Sequence, residues 1–113
     1  MSELFLSPAQ AESVRRILWT HLPGNVKVSV FGSRATGRRL KPHSDLDLLI
    51  DSPVELPLML MANVREALVE SNLPFSVDLL DRKDASAEFL ASLAHEGMVE
   101  LHPLPTELIH AQP

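Results

Sequence analysis

A chain of 113 residues, 45% of them apolar, has room for one compact domain and one site. Its formal charge of −5 excludes a broadly basic surface, so extensive binding to nucleic-acid backbone is not expected, and the absence of cysteine excludes disulfides and thiolate metal sites. No apolar run nears the ~18 residues of a spanning helix, and Met1-Ser2-Glu3-Leu4-Phe5-Leu6 lacks a basic leader start. No membrane partner is expected, and the expected location is cytoplasmic.

In chain order, Ser7-Pro8-Ala9-Gln10 predicts a helix start, with Ser as N-cap, Pro at the first helical position and Gln completing a capping box. Val14, Ile17, Leu18 and Leu22 recur at helical spacing, and Leu22-Pro23-Gly24 stops the helix. Arg15 and Arg16 fall off that stripe, on a solvated face. Val26 to Phe31 reads as a strand with Val26, Val28 and Val30 on one face. A Gly32-Ser33 turn follows, then a helical turn from Arg34 to Thr36 stopped at Gly37, and a loop from Arg38 to Ser44 that contains Pro42. Asp45 to Asp51 reads as a second strand, whose unbroken Leu46, Leu48, Leu49 and Ile50 imply burial on both faces.

Leu58, Met61, Ala62, Leu68 and Val69 mark a helix running to about Asn72, with Met59 and Met61 as packing residues. Pro74 introduces a third strand, Phe75 to Leu80. Phe75, Val77 and Leu79 take one face, leaving Asp78 on the other with Ser76 and Leu80. Asp84 or Ser86 opens a last helix with Phe89, Leu90, Leu93 and Ala94 on its stripe and Gly97 as its stop. Met98 to Leu101 adds a short extended segment, and the polar, Pro-containing stretch from His102 reads as a loosely held tail. The expected class is α/β (α+β), a small mixed sheet with helices packed on it. The expected domain is 1–102, with a tail at 103–113.

Asp45 and Asp47, spaced i and i+2 on a strand, lie on one face with Cα atoms roughly 6.5 to 7 Å apart. Two carboxylates about 4 Å apart repel by about 4 kcal/mol at an effective dielectric near 20. A buried strand tolerates them only with compensation, and a divalent cation supplies it. Mg²⁺ favours carboxylate oxygens, keeps waters and takes further ligands from substrate phosphates. Gly32 leaves room for close approach, and Ser33 offers a hydroxyl and a backbone N–H where a helical turn begins, a natural anion site. Together these features describe a nucleoside triphosphate site.

Gly32-Ser33, Asp45-x-Asp47 and a later strand carrying Asp78 resemble the nucleotidyltransferase superfamily that includes DNA polymerase beta. The small size, the wording Gly-Ser-Arg-Ala-Thr-Gly and the ending Glu88-Phe89-Leu90 to Glu96-Gly97-Met98-Val99 are most similar to minimal nucleotidyltransferases, many of which are antitoxin partners of HEPN-domain toxins. The likeness covers roughly residues 10 to 102. It implies a polymerase beta palm-like fold and transfer of a nucleoside monophosphate from a triphosphate to a hydroxyl. It further implies two Mg²⁺ ions on Asp45, Asp47 and Asp78, with Asp78 beside the metal that activates the hydroxyl. Gly32 and Ser33 would hold the β- and γ-phosphates, with Arg34 adding charge there. ATP is the implied substrate. The implied acceptor is a tyrosine of a HEPN RNase toxin, with which the chain would form a hetero-oligomer.

Other readings stay open. Asp51 and Asp81 read as capping or solvated residues, with Asp81 the alternative third carboxylate. Arg38, Arg39 and Lys41, with Arg34, put four of the ten basic residues in one connection. They read equally as a solvated loop or as a surface for phosphates or an RNA acceptor. None of the five histidines has ligand spacing, and His43 alone sits in the site loop. The chain ends soon after the third strand and its helix, which implies an acceptor presented by another molecule. It contains no tyrosine, so tyrosine self-modification is excluded. A non-catalytic antitoxin that neutralises its toxin by binding is the reading from another class, and transfer to a small molecule or RNA is a third.

Overall fold

A computed structural model describes residues 4–104. The first helix, α1 (Pro8–His21), begins with the expected capping box: the Ser7 hydroxyl accepts from the Gln10 amide, and the Gln10 side chain accepts from the Ser7 amide. The strands are β1 (Lys27–Phe31), β2 (Leu46–Asp51), β3 (Val77–Asp81) and β4 (Val99–Leu101). They form one sheet in the order β3-β2-β1-β4. β1 runs antiparallel to β2 and β4, whereas β2 and β3 are parallel, joined across the helix α3 (Leu58–Val69). A helix-length connection is what parallel neighbours require.

The period-2 alternation of the strands divides the sheet into two unlike faces. Val28 and Val30 of β1, Leu46, Leu48 and Ile50 of β2 and Leu101 of β4 are all buried on one face, in a single cluster with Val14, Leu18 and Trp19 of α1 and Met61, Val64 and Leu68 of α3. Each such side chain stabilises the fold by about 1.5 to 3 kcal/mol. The opposite face carries Phe31, Asp47, Leu49, Asp78 and Leu80, as the cross-strand register dictates. α4 (Ala87–Glu96) touches that face through Phe89, whose ring meets Phe31 edge to face at 6.1 Å between centroids.

Several expectations change. β2 begins at Leu46 rather than Asp45, and β3 at Val77 rather than Phe75. Leu58, Met59 and Val69 lie on the outer side of α3 and are exposed, so of the two methionines only Met61 packs in the core. A 3₁₀ turn, Arg82–Asp84, precedes α4, and Ser86 is the N-cap of that helix. β4 pairs with β1, and the residues directly after it are held: Arg15 donates to the carbonyls of His102 and Pro103, and Leu104 is buried. Arg15 is therefore an anchor rather than part of a solvated face. Of the tail expected at 103–113, residues 105–113 lie outside the described residues.

Candidate active site

The site is built on the face opposite α1 and α3, where the central strand carries an acid between an aromatic ring and a second acid. Phe31 of β1 stands opposite Asp47 of β2, and Asp47 stands opposite Asp78 of β3. Neighbouring strands lie about 4.7 to 4.9 Å apart, so Asp47 and Asp78 stand side by side on one face of the sheet. Asp45 lies two residues before Asp47, exposed, at the entry to β2, where the Leu46 amide donates to the Ser76 carbonyl and ties that entry to β3.

At the end of β1 the chain turns through Gly32, which has φ +74° and ψ −154°. A Cβ there would stand 2.5 Å from Oδ2 of Asp47. The glycine is thus required twice, by its backbone conformation and by the carboxylate packed against it. α2 (Ser33–Thr36) begins here, its Ala35 and Thr36 amides both donating to the Gly32 carbonyl at 3.0 Å. Ser33 and Asp47 accordingly flank the same corner.

Arg34 departs from its expected role. Its side chain is only 6% exposed, and its guanidinium is spent on carbonyls: Nη1 donates to Phe5 O (3.0 Å), Nη2 to Pro42 O (3.1 Å) and Ser44 O (3.0 Å), and Nε to Ser44 O (3.2 Å). It also lies over the Phe75 ring at 4.4 Å. Four guanidinium hydrogen bonds are thus given to the scaffold, where the expectation was charge for a phosphate. Arg38, Arg39 and Lys41 are exposed, with Arg39 in a left-handed conformation at φ +56°. His43 contacts the Pro74 carbonyl through Nδ1 at 3.2 Å.

Asp47 is the electrostatic centre of the row. Partial burial raises its pKa above the ordinary carboxylate range, and the negative charges of Asp78 and then Asp45 push it further the same way. A cation would relieve all three effects. Among the described residues no group of three or more histidine, aspartate or glutamate side chains stands close enough together to hold a metal ion. A pair of carboxylates such as Asp47 and Asp78 would suit Mg²⁺, which needs one or two protein carboxylates and completes its shell with water and substrate phosphates. An open groove of about 780 Å³ runs from Asp45 and Asp78 along Leu68, Leu73, Phe75 and Val77.

The chain as a whole has counterparts among known proteins. The family model described as nucleotidyltransferase domain matches residues 11–99. The chain belongs to this nucleotidyltransferase family. A relative from Haemophilus influenzae, named probable protein adenylyltransferase MntA, is 38% identical over 88 residues, covering 78% of this chain and 75% of the relative. Among solved structures, a toxin-antitoxin with AMP-PNP superimposes with a TM-score of 0.63 at 21% identity, over 89% of this chain and 81% of that one. A tri-AMPylated Shewanella oneidensis HEPN toxin in complex with MNT antitoxin gives a TM-score of 0.58 at 21% identity, over 88% and 76%. These structures share the mixed four-stranded fold of this nucleotidyltransferase domain.

The other acids of the nucleotidyltransferase domain have different employment. Asp51 shares the face of Asp47 but pairs with Arg82 at 3.0 Å in an exposed ion pair. Asp81 stands opposite Ile50, on the core side of the register, and caps the 3₁₀ turn by accepting from the Lys83 amide. No helix among the described residues is long and apolar enough to cross a membrane.

Proposed function

We propose that this nucleotidyltransferase transfers AMP from ATP to a tyrosine hydroxyl of a HEPN-domain RNase toxin and thereby silences it. The observation that carries this reading is the row in which Gly32 packs against Asp47 and Asp47 stands opposite Asp78. The 38% identical relative named as a protein adenylyltransferase supports the adenylyl group as the one transferred.

Asp45, Asp47 and Asp78 would hold the metal, two Mg²⁺ ions in the full site. When bound, Mg²⁺ neutralises charge developing around the α-phosphate. Gly32 and Ser33 orient the β- and γ-phosphates through backbone N–H groups and the Ser33 hydroxyl. The tyrosine oxygen forms a bond to the α-phosphorus as the bond to the β-phosphate oxygen breaks, pyrophosphate leaves, and Asp78 receives the phenolic proton. The groove that reaches Asp45 and Asp78 past Leu68, Leu73 and Phe75 is where an aromatic acceptor would be held. The protein would work as a hetero-oligomer with that toxin in the cytoplasm.

Incubation with labelled ATP, Mg²⁺ and a co-purified HEPN partner tests this, comparing wild type with Asp45→Ala/Asp47→Ala. Label on a partner tyrosine that vanishes in the variant is the expected result. An unlabelled partner that both proteins still neutralise would make this a binding antitoxin.

A further inference from the structure

We propose that Arg34 is a positioning residue for the metal site, setting where Asp45 stands relative to the Gly32-Ser33 turn. This rests on the nucleotidyltransferase reading of that site. Arg34 directly follows Ser33, and its Nε and Nη2 both hold the carbonyl of Ser44, the residue directly before Asp45. One rigid planar group therefore spans the two halves of the site. The same fork reaches Phe5 O and Pro42 O, and its face rests on Phe75, just before Ser76, whose carbonyl receives the Leu46 amide. Three segments far apart in sequence are locked to one side chain.

The choice of acceptors separates this from ordinary stabilisation. All four hydrogen bonds of the 6% exposed cation go to backbone carbonyls. An ion pair would fix one flexible carboxylate, whereas carbonyls fix the path of the chain. Burying the charge is costly, and the return is a fixed backbone on both sides of the ligand set. Lysine carries the charge without the fork, and one ammonium cannot reproduce these directions. The loop that leads to Asp45 would then be free to drift, carrying the carboxylate with it.

The test is a titration of Mn²⁺ with AMP-PNP, following free Mn²⁺ by electron paramagnetic resonance, on wild type, Arg34→Lys and Phe75→Leu at a temperature where circular dichroism shows each folded. Wild type should bind saturably. Arg34→Lys should raise the half-saturating Mn²⁺ about tenfold, the scale on which groups behind metal ligands act. Phe75→Leu, which removes the ring but leaves a smaller apolar side chain, should raise it less. A merely structural arginine would lower the number of sites through an unfolded fraction and leave half-saturation unchanged, and that result overturns the proposal. Should Arg34→Lys not fold, an unshifted Phe75→Leu overturns it equally. Wild type that binds no Mn²⁺ with AMP-PNP overturns the site and this inference together.

Discussion

Replacing Gly32 with alanine asks the structure for two things it does not have. The backbone at φ +74° and ψ −154° belongs to a region essentially reserved for glycine, and holding alanine there costs about 1 to 3 kcal/mol. The new Cβ would also stand 2.5 Å from Oδ2 of Asp47, so that carboxylate must leave its rotamer at about 0.5 to 1.5 kcal/mol. Together these come to about 1.5 to 4.5 kcal/mol, centred near 3. For a domain of this size that lowers the melting temperature by roughly 6 to 18 °C. Displacing Asp47 should reduce adenylyl transfer at least about a hundredfold, since misplacement by about 1 Å is enough. The two costs separate in a double-mutant cycle. In an Asp47→Ala background the clash disappears and only the backbone strain remains, giving a coupling of about 1 kcal/mol between the positions. Thermal melts of the four proteins and labelled-ATP transfer measure both. A Gly32→Ala protein that melts and transfers like wild type refutes the geometric argument. Zero coupling refutes its carboxylate half.

The acids make separate predictions. Because the folded pKa of Asp47 is raised, the native state holds that proton more tightly than the unfolded chain does. Its contribution is present below the ordinary carboxylate value and is lost as pH rises through the raised folded value. Metal-free Asp47→Asn should therefore melt above wild type at neutral pH, with the gap closing on acidification. Mg²⁺ with ATP should reverse the order, and an Asn variant that melts lower without metal would contradict the reading. Asp78→Asn should cut transfer about a hundredfold or more with the fold retained. Asp81→Asn should keep transfer and cost at most about 1 kcal/mol in melts, as a weakened cap does; the opposite pattern would move the third carboxylate to Asp81. Ser7→Ala should cost about 1 kcal/mol through loss of the capping box, read as a shift of about 4 °C in the melt with transfer unchanged.

The carboxylate row was legible in the sequence because strand alternation is rigid: once Asp47 and Asp78 are on strands, their faces follow, and Leu49 beside them announces that both faces of β2 are covered. The capping box at Ser7 was legible for the same reason, since its partners are three residues apart. Arg34 was not. Where a guanidinium goes depends on carbonyls at Phe5 and Ser44 that only the folded chain brings near, so proximity to the Gly-Ser turn pointed to phosphates. The outer side of α3 is not legible in the sequence, because Leu58, Met59 and Val69 suit a core by composition, while helix rotation decides which of them meet it. In the sequence Gly32 speaks only for close approach at the turn. Its contact with Asp47 crosses between strands and leaves no mark in local spacing.

The strand order also prescribes a sequence of events as the chain folds. β1 and β2 are separated only by α2 and one loop, so their hairpin closes at low entropic cost, and β3 joins after α3 has formed. β4 must return from the far end of the described chain to pair Val30 with Val99. Such distant pairings come late and slowly. The three carboxylates all lie on β2, its entry loop and β3, so the proposed ligand set would be complete before that last strand docks. A newly made chain would thus acquire its chemistry while the edge of β1 is still open, and closing that edge is the step that follows.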